Sequence, residues 1–196
     1  MTLDRMALIS CGPSAATSYP GSDGYDFVAG CRDAVSRWRC DWWCFVDIEV
    51  YATITPLSWP HLWIPEHVEI RIGRNHLANG IRDPADAQMI ADRYQHETRT
   101  LCDTQPRQPQ ITAEGGQWIG WSGTTGLGLA FALRPRRLDV YGMDLGGSLD
   151  HRGNPSPNRT DARWTRERAV SAQIIAALRA VGVDVNMIGP WDGEAL

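Results

Sequence analysis

The chain has 196 residues, 43% hydrophobic and 21% charged, which predicts a single soluble domain with material for a sizeable core. A formal net charge of −4 excludes a global basic footprint for nucleic acid, although Arg134, Arg136 and Arg137 form a local basic run. No apolar stretch approaches the ~18 residues of a transmembrane helix, and no basic segment leads into an apolar run, so neither membrane nor signal peptide is expected. The five cysteines, Cys11, Cys31, Cys40, Cys44 and Cys102, contain no C-x-x-C pair. They read as free thiols in a reducing cytosol rather than zinc ligands, which makes the expected location cytoplasmic.

In chain order, Met6 to Ser10 is a short apolar run, read as a buried strand that ends in the tight turn Gly12-Pro13-Ser14. A second strand starts at Tyr25 and runs into a turn. A third, in "CDWWCFVDIEVY", carries Trp43, Phe45, Val46, Ile48 and Val50 around Asp47. "HVEIRIG" alternates at Val68, Ile70 and Ile72 and reads as another strand. The stretch after Asp83-Pro84 has helical spacing, with Asp83 as N-cap. Residues 103–118 are polar, with prolines and glycines, and read as a loop or mobile lid. Thr124 to Leu133 predicts a short buried helix ended by Pro135. "RLDVYGMDL" predicts a strand with Asp144 just past its end, and a long polar loop follows. "DARWTRERAVSAQIIAALRAVGV" is the clearest helix, capped by Asp161 and ended by Gly182, before a last strand, "VDVNMIG".

Apolar runs alternating with helices predict an α/β domain with a Rossmann-like, mostly parallel sheet and helices on both faces. Such sheets bind ligands outside the carboxyl ends of their strands. That rule gathers Gly12-Pro13-Ser14, Asp47, Ser122-Gly123-Thr124-Thr125 and Asp144 into one crevice. Gly12 permits close approach of a ligand, and small residues after a first strand cradle phosphate through backbone amides. The same turn also reads simply as a tight strand-to-helix connection, and neither G-x-G-x-x-G nor a Walker motif is present. "SGTTG" offers hydroxyls and the free amides of a helix's first turn, or plain N-caps on a closely packed helix. Asp47 and Asp144 suit a ribose hydroxyl, a metal or a helix cap. His151, in the loop after Asp144, suits a general base or the surface. Trp42, Trp43, Trp118 and Trp121 are candidates to stack a base or sugar, with core packing the alternative.

Together, "LISCGPSA", "DFVAGCRDAV", "CDWWCFVD" and "SGTTGLGLAFAL" followed by "LDVYGMDL" resemble the sialyltransferase-like superfamily. That superfamily includes bacterial sialyltransferases and 6-hydroxymethylpterin diphosphokinase-like proteins, and small chains of this kind occur in phage genomes. The matching order covers roughly residues 7–51 and 119–147. The resemblance implies a modified Rossmann fold and a nucleotide-activated donor of the CMP-sugar type, with inverting transfer, a histidine base and no metal cofactor. It places donor phosphate at Gly12, Pro13 and Ser14, and the donor's nucleotide or carboxylate at Ser122, Gly123, Thr124 and Thr125. His151 is then the base, with Asp144 beside it in the catalytic set and Asp47 on the donor side. Arg32 stands where the family has an asparagine, so it would meet phosphate through different bonds. The acceptor is an unspecified hydroxyl, on a glycan, a small molecule or modified DNA, and a homo-oligomer is compatible. Two other functions remain: a magnesium-dependent diphosphokinase-like transferase using Asp47 and Asp144, and a non-catalytic nucleotide-binding protein.

Overall fold

The structure, a computed structural model, describes residues 3–45, 69–72, 75–79, 89–90, 92–93, 96, 121–149, 153–155 and 159–194. Strands β1 (Arg5–Ile9), β2 (Phe27–Cys31), β3 (Trp42–Phe45), β4 (Glu69–Ile72), β5 (Asn75–Asn79), β6 (Arg137–Tyr141) and β7 (Asp184–Ile188) form one sheet. Its order is β4-β5-β3-β2-β1-β6-β7. The pairs β3–β2, β2–β1, β1–β6 and β6–β7 are parallel, while β5 pairs antiparallel with both β3 and β4. The expected α/β, Rossmann-like, mostly parallel sheet is therefore present, with an antiparallel pair added at one edge.

Strand alternation sorts the core into two faces. Met6 and Leu8 of β1, Phe27, Ala29 and Cys31 of β2, and Leu138 and Val140 of β6 point to one face. Ala7, Ile9, Val28 and Tyr141 point to the other. Helix α2 (Ser122–Leu133) and helix α3 (Asp161–Ala180) cover the first face. All twelve residues of α2 are buried, as expected of a helix that is apolar all round. A Cβ on Gly126 would run into Leu8 Cδ1, so the glycine sets how closely α2 lies on β1. The buried positions of α3, among them Trp164, Glu167, Ser171, Ile174 and Leu178, recur every three to four residues. Each fully buried aliphatic side chain here contributes about 1.5–3 kcal/mol. The second face is covered by the short helix α1 (Ala15–Ser18) and a 3-10 turn over Arg32–Ser36, through Ala15 and Ala34.

The second face also buries a charge. Asp139, 1% exposed, accepts bonds from Arg5 (2.9 Å), Arg137 (2.9 Å), Asn186 (2.8 Å) and Tyr25 (3.1 Å). Burial alone would raise its pKa, but the bonds from Asn186, Arg5, Arg137 and Tyr25 outweigh it and hold the carboxyl below its usual value.

Several expectations shift. The third strand is described only over Trp42–Phe45, so its continuation through Asp47 lies outside the described residues. Strand β5, "NHLAN", has no apolar alternation to announce it; pairing on both sides makes it a strand. In the predicted helix after Pro84, residues 89, 90, 92, 93 and 96 are helical. The lid at 103–118 lies outside the described residues. Thr160, not Asp161, caps α3: its hydroxyl accepts from the Arg163 amide at 3.3 Å. Thr160 holds the extended backbone that an N-cap needs, whereas Asp161 is already helical. Cys11, Cys31, Cys40 and Cys44 are free thiols. Among the described residues no helix is long and apolar enough to cross a membrane.

Candidate functional site

In the parallel part of the sheet, the chain leaves β1 toward β2 on one side, and β6 lies on the other. The crevice between the carboxyl ends of β1 and β6 is thus a topological switch point, where open α/β sheets bind ligands. Hydrogen bonding between the two strands continues past their ends. Ser10 N–H donates to Tyr141 O and Gly12 N–H to Gly142 O, each at 2.7 Å.

Side chains then lock the two turns together. The Ser14 amide donates to Asp144 Oδ2 at 2.9 Å, and the Ser14 hydroxyl donates to Asp144 Oδ1. The Asp144 carboxylate is buried and fills the space beside Gly12. A Cβ on Gly12 would stand 2.6 Å from Asp144 Cγ and would also meet the Gly142 carbonyl. A Cβ on Gly189, after β7, would stand 3.0 Å from both Asp144 Oδ1 and Ser14 Oγ. Gly142 itself has φ +67, a left-handed conformation that favours glycine. Asp144 therefore holds Ser14 and the turn around it.

The turn after β2 joins the same edge. Cys11 Sγ lies 3.0 Å from Cys31 O and 3.2 Å from Asp33 Oδ1, two acceptors that share its single S–H. Burial, then the Asp33 charge, pushes the Cys11 thiol well up, so it stays a neutral donor. Arg32, exposed, holds φ +47, and its carbonyl accepts Trp43 Nε1 at 2.7 Å. Leu145, after β6, holds φ +44. Left-handed non-glycine residues cost energy, and two of them flank this one edge.

The N-terminus of α2 is the back wall. Cys31 Sγ donates to Ser122 O at 3.2 Å, and Ser10 Oγ lies 3.6 Å from where a Cβ on Gly123 would stand. The two threonines follow the second of the two sequence readings, bonding to the head of their own helix. Thr124 Oγ1 accepts from the Trp121 amide at 3.2 Å and donates to Trp121 O at 2.8 Å. Thr125 Oγ1 donates to the same carbonyl at 3.0 Å. Both are buried; Thr124 caps the helix through the Trp121 amide, and Thr125 bonds back to the i−4 carbonyl. Ser122 and Gly123 remain at the head of the helix, where the first-turn amides and the dipole favour an anion. Trp42 and Trp43 are buried within the sheet and offer no face for stacking.

Helix α3 adds groups that the sequence reading passed over. Glu167 is 5% exposed, and its Oε2 accepts from Arg163 Nε at 3.2 Å. Burial raises its pKa above the ordinary glutamate value, with Arg163 and Arg159 opposing. Arg168 Nε donates to Leu145 O at 3.0 Å, and Trp164 Nε1 to Gly147 O at 3.1 Å, which pins the loop after β6 onto α3. Arg159 and Arg163 lie over the Trp164 ring at 5.1 and 5.3 Å. The signal for Glu167 was its place on the buried stripe of α3, where a charge needs a reason.

Gly12, Ser14, Asp144, Ser122, Gly123 and Arg32 thus share the carboxyl edge, with exposed Pro13 at the lip of the first turn. Asp47 and His151 lie outside the described residues. The Gly12 and Ser14 amides and the Ser14 hydroxyl are engaged within the protein, so what the edge offers a phosphate-bearing ligand is the first turn of α2 and the exposed Arg32. Comparisons with family models, with curated proteins and with solved structures found no match, so it is this geometry that carries the functional reading.

Proposed function

We propose that the chain binds a nucleotide-activated donor at this edge and transfers its sugar to a hydroxyl acceptor, as a glycosyltransferase-like enzyme of the sialyltransferase-like type. The donor is of the CMP-sugar kind, and the transfer is inverting and independent of metal. One observation carries the reading: the Gly12–Ser14 turn is locked to Asp144 at the switch point. The Ser14 amide and hydroxyl are given to Asp144, so the donors for a leaving phosphate are the first-turn amides of α2 and Arg32, which the lock holds in position without rearrangement during the reaction. Ser122 and Gly123 supply the helix head, and Arg32 supplies a cation from the neighbouring turn. Asp144 keeps Ser14 in place. His151 is the proposed base for the acceptor hydroxyl.

The test is thermal denaturation with CMP, UDP, GDP or ATP, each with and without magnesium, followed by transfer assays with CMP-sugars. CMP at about 100 times its Kd adds about 2.7 kcal/mol. For a chain of this size that raises Tm by about 5–10 °C. His151→Ala should keep the CMP shift and lose transfer. Stabilisation by ATP only with magnesium would replace this reading with a diphosphokinase-like one. A CMP shift without transfer across a donor panel would leave a nucleotide-binding protein.

A further inference from the structure

Glu167 is the one charge on a helix stripe that also buries Trp164, Val170, Ser171, Ile174, Ile175 and Leu178, and it lies against the head of another helix. Its Oε1 is 3.7 Å from where a Cβ on Gly123 would stand, in the first turn of α2. The same first turn carries Ser122, whose buried Oγ has no hydrogen-bond partner among the described residues. Ser10 Oγ approaches from the end of β1. Three elements therefore bring a carboxylate and two hydroxyls to the positive end of α2. A carboxylate there is an internal anion, and it already engages Arg163. A buried charge with one ion-pair partner is costly, and a second anion at close range disfavours its ionised form further.

We propose that Glu167 is the resident anion at the head of α2, and that a phosphate-class anion binds there only as Glu167 takes up one proton. This rests on the reading of the crevice as a donor-phosphate site. The proton comes from solvent and converts the carboxylate to a neutral acid, which leaves the helix dipole and Arg163 to the incoming anion. Among the described residues, the charged and titratable groups facing Glu167 are Arg163 on α3, Arg159 just before it and the Cys31 thiol on β2. The arginines favour the ionised carboxylate. Cys31 stays a neutral thiol, pushed up by its bond with Cys44 and by burial. Glu167 is held by packing on α3, so it answers an anion by gaining a proton rather than by leaving.

Calorimetric titration of the full chain with sulfate and with CMP tests this. Sulfate keeps its charge across the range, so protons exchanged on binding belong to the protein. At about pH 8, Glu167→Gln should bind sulfate and CMP at least about tenfold more tightly than the wild type, since an uptake near one proton needs a coupling of about two pKa units or more. The gap should close toward about pH 5, as the wild-type carboxyl protonates unaided. Independently of any variant, wild-type sulfate binding at about pH 8 should show uptake of about one proton, read from binding heats in buffers of different ionisation enthalpy. That count decides the matter if Glu167→Gln fails to fold. Sulfate and CMP binding with no proton uptake, or with Glu167→Gln equal to or weaker than the wild type, overturns the inference and leaves the donor site standing. No binding of either probe to either protein, at either pH, overturns both.

Discussion

Removing the Asp144 carboxylate should undo the lock between the first turn and the turn after β6. The carboxylate is 6% exposed and accepts two bonds from Ser14, one from the amide and one from the hydroxyl. Hydrogen bonds to a charged acceptor contribute about 1.5–3 kcal/mol each. Relief of the buried charge offsets part of that loss. The surroundings cannot refill the space, because the walls at Gly12 and Gly189 carry no side chains. Asp144→Ala should therefore cost about 2–4 kcal/mol, or about 4–16 °C in Tm. Asp144→Asn should cost about half as much, since its Oδ1 still accepts the Ser14 amide and its Nδ2 can donate to the Ser14 hydroxyl. Urea denaturation of both variants, with CMP affinity measured in parallel, is the assay. If Asp144→Ala stays within about 0.5 kcal/mol of the wild type, the behaviour of a surface substitution, the lock is not what holds this turn.

Two further outcomes follow from the same geometry. Gly12→Ala should cost about 1–3 kcal/mol by overpacking. In the Asp144→Ala background that cost should shrink, because one of the two colliding groups is gone while the Gly142 carbonyl remains; simple additivity in a double-mutant cycle would refute this. The lowered pKa of Asp139 stabilises the fold above the unfolded carboxyl value of about 3.9, and that stability is lost as pH falls through the lower folded value. Asp139→Asn should thus flatten the loss of stability below about pH 4 in urea midpoints, whereas an unchanged slope would mean that the four bonds do not favour the charged form.

The alternation of apolar runs and turns made much of the fold legible before any coordinates. Met6 and Leu8 against Ala7 and Ile9 are a period-two pattern, and "RWTRERAVSAQIIAAL" has a helical one. The rule that ligands gather at carboxyl ends also placed Gly12, Ser14, Ser122 and Asp144 at one edge without coordinates. The roles of individual polar atoms were not legible. "SGTTG" leaves Thr124 and Thr125 as ligand donors or helix caps, and only the packed structure shows both hydroxyls turned back to Trp121. Strand β5 has no pattern of its own, and only pairing with β3 and β4 defines it.

The sequence by itself determined the layered α/β class, the order of β1, α2, β6 and α3, and the turns that end them, because periodicity and breakers are local properties of the chain. Only the tertiary structure decided that Asp144 is spent on Ser14 and that Glu167 lies at the head of α2. Those pairs are 130 and 44 residues apart in sequence. Whether a carboxylate meets a ligand, a hydroxyl or a helix dipole depends on what long-range packing brings within hydrogen-bond reach, and no local pattern encodes that.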